Sequence, residues 1–177
     1  DVCVPDPQGS FSGSAVYDDG GTTHIDWTWS GTVEFEPNGQ MNPWFPAFQT
    51  EVWDAGRVRT GSVTLSGQGT TQGSDGTCTI EIPAASYELD TGTTSILIQP
   101  GAQPHYALGV YMGGTEFPQA TISCPDEEPQ TGPLPGPPAL VYTDEPQQAA
   151  VRGSYQGSTT FDVPLYNSSF TWNLTDP

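Results

Sequence analysis

The side chains that could do chemistry are few and scattered. His24 and His105 are the two histidines, the residue type whose ordinary pKa lies nearest neutrality. Nucleophilic catalysis needs a base held against a hydroxyl or thiol, and the chain has no G-x-S-x-G elbow. His24 stands on the polar parity of a strand-like stretch, and His105 follows Pro104 at a strand start. Paired carboxylates can cleave a glycosidic bond, but Asp26, Glu34 and Glu36 share one parity and read as a solvated strand face. The acidic turns Asp18-Asp19, Asp75 and Asp126-Glu127-Glu128 offer oxygens of the kind Ca²⁺ takes. None has the spacing of an EF-hand loop, and turn chemistry accounts for them. No C-x-x-C or Cys/His cluster is present, so no metal and no cofactor is expected. The chain reads as non-enzymatic.

Aromatic side chains are the stronger candidates for recognition. Of five tryptophans, Trp27, Trp29 and Trp172 fall on apolar parities and belong to a core. Trp44 and Phe45 lie in a proline-bracketed loop, and Trp53 is equally unconstrained. These three make up the ligand-binding alternative, since a flat ring suits a sugar or a protein surface. Asn167-Ser168-Ser169 and Asn173-Leu174-Thr175 match the N-glycosylation sequon, which makes Asn167 and Asn173 the glycosylation candidates.

Charge removes several classes of partner. There are 21 acids against three arginines, no lysine, and a formal charge of −18. Phosphate binding needs a basic patch, so nucleic acid is excluded as a partner, and an anionic bilayer surface repels such a chain. No apolar run reaches the ~18 residues that span a bilayer, so no membrane insertion is expected. An excess of acid without lysine also fits a high-salt source. Cys78 shares the parity of Ile80 and Ile82, and Cys124 that of Ala120 and Ile122. Both point to a core face and are expected to form a disulfide, worth about 4 kcal/mol on the chain-entropy account. Cys3 is left to pair outside the chain or stay free.

The elements that must position these residues are strands. Thr22 to Glu36 alternates throughout: Ile25, Trp27, Trp29, Val33 and Phe35 on one face, His24, Asp26, Thr28, Ser30, Thr32 and Glu34 on the other. Such a long strand is expected to bend at Gly31 and serve two sheets. Short alternating runs separated by Gly, Pro and Asp turns continue to Cys124. Residues Gly67 to Gly76 read as a flexible loop, and Pro83 to Gly92 as irregular. No window carries helical periodicity. Together these predict an all-β chain, an antiparallel β-sandwich (jelly-roll or Ig-like) of about ten short strands and one long bent one, with little or no helix. The expected organisation is a sandwich over 1–124, a Pro-rich connector over 125–138 outside the sheet, and a terminal hairpin over 139–177. That hairpin packs on the sandwich or on a neighbouring subunit.

The two ends of the chain resemble each other. Gly9, Ser10, Gly13, Ser14, Asp18, Thr28 and Trp29 recur as Gly153, Ser154, Gly157, Ser158, Asp162, Thr171 and Trp172, with one residue of slippage. This is an internal repeat of a hairpin. The sequence points to a secreted, extracellular or cell-surface protein of structural or adhesive type. Such a protein would be a self-assembling subunit of an appendage or filament, with itself, other surface proteins or a glycan as partner. The alternative is a carbohydrate-binding module using Trp44, Phe45 and Trp53.

Overall fold

A computed structural model describes residues 6–43, 49–114 and 117–177. Cys3, Trp44 and Phe45 lie outside the described residues. The described chain forms twelve antiparallel strands and no helix. At its centre β2 (Thr23–Met41) runs beside β3 (Trp53–Gly73) for nearly its whole length. Ile25, Trp27, Trp29, Val33 and Phe35 are buried, and Asp26, Thr28, Ser30 and Thr32 are exposed. The period-two pattern therefore sets which face of the sheet is the core.

The register shifts between Glu34 and Phe35, which pair with Thr60 and Val58 and leave Arg59 as the extra residue of a bulge. Here β3 also changes its outer neighbour. β4 (Gly76–Glu88) lies along Ser62 to Gly73, and β5 (Ser95–Ile98) along Asp54 to Arg57. A bulge bends and twists its strand, so the sheet forks at this point and not at Gly31. Gly31 pairs in register with Val63. It is glycine for a different reason: a Cβ there would lie 2.5 Å from Cζ of Phe11.

One branch continues from β4 through β7 (Gln119–Ser123) to β8 (Gln130–Pro133). The other continues from β5 to β6 (His105–Val110), whose far side pairs with β9 (Val141–Tyr142) and β10 (Gln147–Gln148). On the opposite side of β2 the order is β1 (Gln8–Asp18), β12 (Tyr166–Thr175) and β11 (Ser154–Val163). The β6 branch lies over the inner face of these strands. The Trp29 indole N–H donates to the Leu140 carbonyl at 2.9 Å, and that of Trp172 donates to the Tyr106 hydroxyl at 2.9 Å. The result is an all-β antiparallel sandwich made by one sheet folding over itself, with a single main core between the layers.

Three local expectations are corrected. The strand continues through Gly67 to Gly73, because the glycines sit where a neighbour's main chain approaches; a Cβ on Gly67 would meet Asp26 O at 3.1 Å. β4 runs past Pro83 because the register shift between Leu65 and Gly67 lies opposite that proline, and a bulge needs no N–H from it. Gln130–Pro133 of the proline-rich segment joins the sheet as an edge strand, where only one side of the ladder is used. The disulfide links Cys78 to Cys124, across 46 residues of chain, at the outer end of β4 and β7.

The repeat has a structural meaning. Gly13 pairs with Trp29 across β1–β2, and Gly157 pairs with Trp172 across β11–β12. A Cβ on either glycine would lie 2.5 Å from Cζ2 of its tryptophan. Each indole thus lies flat across a residue that has no side chain. Because β12 also pairs with β1, the second hairpin repeats the first by a step of two strands along the sheet. Gly13→Ala and Gly157→Ala should each cost about 1–3 kcal/mol by overpacking. Trp29→Ala should cost about 3–5 kcal/mol by leaving a cavity, while Thr28→Ala on the exposed face should change urea-unfolding stability little.

Candidate interaction surface

The residues with catalytic chemistry are not gathered in one place. His24 is the second residue of β2 and lies 3.3 Å from both Asp18 and Asp26. Its bond to Asp18, with Asp26 adding charge, raises its pKa above the ordinary value. His105 opens β6, where its Nδ1 lies 3.1 Å from Gln99 Oε1. Glu34 accepts from the Thr60 hydroxyl at 3.1 Å, and Glu36 pairs with Arg57 at 2.7 Å. Asp19 is occupied by its own turn. It accepts from the Thr22 hydroxyl and from the N–H groups of Gly21, Thr22 and Thr23, which together hold its carboxyl far below the usual range. Among the described residues no group of three or more His, Cys, Asp and Glu is placed to hold a metal ion.

Of the ligand-binding candidates, Trp53 is fully buried. It packs in a small second cluster with Ala55, Leu97 and Ala107, so its ring offers no face to a ligand. Sequence reasoning left Trp53 open because it begins its strand directly after an irregular loop. Leu97 and Ala107 of that cluster lie on β5 and β6, distant in sequence.

Two features of the surface remain. The first is the outer face of β2, β1 and β12, which is lined by hydroxyl and amide groups. Ser10, Ser12, Ser30, Thr32, Thr171 and Asn173 border a shallow groove of about 400 Å³. Asn173 and Asn167 are both exposed, so both sequons present their amide to solvent. The second feature is the edge of the sheet at β11, which ends the strand order. β8 and β10 are short, with four and two residues, and β8 carries Pro133. β11 has ten residues, with no proline, no lysine and Asp162 as its one charge. Proteins ordinarily blunt such an edge with charge, proline or a bulge.

The start of β11 is fastened firmly. Arg152 donates to Asp54 at 2.9 Å and to the Gln99 carbonyl at 3.2 Å. Asp54 is only 5% exposed. This ion pair ties the terminal hairpin to β3, far away in sequence. At the other end Pro164-Leu165 make a two-residue turn in which Leu165 has φ of 76°. Proline followed by a positive-φ residue is the type II arrangement.

No family model, no curated protein and no solved structure matches the chain. Arg152→Met should cost about 3–5 kcal/mol in chemical denaturation, because it strands the Asp54 carboxylate in the interior. Arg57→Met, which breaks an exposed pair with Glu36, should cost about 0–1 kcal/mol.

Proposed function

We propose that this chain is a non-catalytic extracellular structural or adhesive module that acts by associating with further protein, as a self-assembling subunit of a cell-surface assembly. One observation carries the reading. A hairpin repeat that advances two strands per copy stops at a full-length edge with no protecting residue on it but Asp162. A sheet built by adding hairpins and left open in this way is suited to receiving another strand. The disulfide fits an oxidising compartment. The exposed hydroxyl face and its two sequons fit an outward-facing surface. Among the described residues, no helix is long and apolar enough to cross a membrane.

The carbohydrate-binding alternative loses Trp53 to the interior and rests on Trp44 and Phe45. Sedimentation velocity over a wide concentration range, together with a glycan array, separates the two readings. Self-association that grows with concentration, with no glycan bound, is the expected result. A monomer that binds glycan, and loses that binding in Trp44→Ala, would overturn the proposal.

A further inference from the structure

The β11 edge has a direction built into it. Val163 pairs with Tyr166 around the two-residue turn, and the pair flanking such a turn exchanges main-chain hydrogen bonds. The main-chain groups of β11 therefore alternate. Those of Tyr155, Gly157, Thr159, Phe161 and Val163 face β12. Those of Ser154, Gln156, Ser158, Thr160 and Asp162 face away from it. Two bonds agree with this alternation. The Tyr106 hydroxyl donates to the Gln156 carbonyl at 3.1 Å, and the Ser154 N–H donates to the Val151 carbonyl at 3.3 Å. The free part of the edge thus centres on Ser158.

We infer that β11 pairs antiparallel with β11 of a second copy of this chain, about a two-fold axis at Ser158. The inference rests on the self-association reading and names its surface. Antiparallel pairing about a two-fold axis brings residues of constant sum together, and only a centre on a residue, not between two, matches outward groups with outward groups; of these centres Ser158 lies midway along the outward-facing residues Ser154 to Asp162. With Ser158 at the axis, Gln156 meets Thr160 of the other copy, and the two Ser158 residues meet each other. On the inner face Gly157 lies opposite Thr159, and Phe161, which packs on Tyr142, lies opposite Tyr155, itself already buried against Tyr106 in its own chain. The Gln156 carbonyl keeps its bond to Tyr106, since a carbonyl accepts twice.

Charge agrees with this register. Asp162 lies opposite Ser154, so no carboxylate faces another across the new ladder. A seam with one acid per strand suits a chain whose overall charge of −18 opposes any contact made elsewhere on its surface. The residual long-range repulsion is screened by salt, so pairing should strengthen as salt rises.

The test is sedimentation equilibrium of the full chain in dilute buffer and in about 1 M NaCl, with Ser158→Pro and Ser158→Lys beside the parent. Proline removes an outward N–H that β12 does not use, so the monomer keeps its ladder. Lysine leaves the main chain intact and sets two like charges face to face at the axis. The parent should dimerise more tightly in high salt, and each variant should raise the dimer Kd by about tenfold or more. Should the proline variant lose its far-ultraviolet spectrum, the lysine variant decides alone. If the parent associates and the folded variants associate equally well, the β11 assignment is wrong and self-association stands. If the parent stays monomeric throughout, both are wrong.

Discussion

The sandwich depends on two indoles used the same way twice. Trp29 and Trp172 each lie across a glycine on the neighbouring strand, and each sends its N–H into the opposite layer, to Leu140 and to Tyr106. The glycine is needed because a Cβ would occupy the ring's place. The N–H bond is needed because a buried donor without a partner costs about 1–3 kcal/mol. The first requirement fixes the register within each hairpin, and the second fixes where the other layer must lie. Trp29 also lies 6.3 Å from Phe170, and Tyr106 lies 6.4 Å from Trp172 edge-on. The two hairpins and the β6 branch are therefore one packed unit.

Much of the fold was legible in the sequence because its signals are local. Strict alternation from Ile25 to Phe35 assigns the two faces of β2 without reference to any other strand. The parity of Cys78 against Ile80, and of Cys124 against Ile122, brings both sulfurs to one side, and the two are bonded. The hairpin repeat was readable from matched glycines and tryptophans. What escaped was set by partners distant in sequence. The fork at Glu34 depends on β4 and β5 meeting different halves of β3, which no single stretch encodes. Pro83 and Pro133 read as breakers, yet one lies opposite a bulge and the other on an edge, where the missing N–H costs no ladder bond. Trp53 gave no sign of burial because its cluster is assembled from β3, β5 and β6. The candidate surface was legible only as an internal resemblance. That the second copy of the hairpin ends the sheet is a property of the strand order.

The acidic composition and the polar outer face act in the same direction. Ser and Thr rows on β1, β2 and β12 hydrate the broad side of the sheet, and a charge of −18 keeps copies apart over most of the surface. Self-repulsion of this kind suppresses indiscriminate stacking while leaving the long, weakly charged β11 edge accessible. The Arg152–Asp54 pair and the Pro164-Leu165 turn hold that edge at both ends, so it is presented as a preformed strand. A preformed strand loses less entropy on association than a disordered one.

Amide hydrogen exchange along β11 tests this picture most directly. In dilute, low-salt solution the odd-numbered amides from Gly157 to Val163 should exchange slowly, and those of Ser158 and Thr160 should exchange fast. Raising concentration and salt should slow Ser158 and Thr160 selectively. Slow exchange at Ser158 and Thr160 in the dilute monomer, equal to that of their neighbours, would show the edge already covered within the chain and would contradict the account.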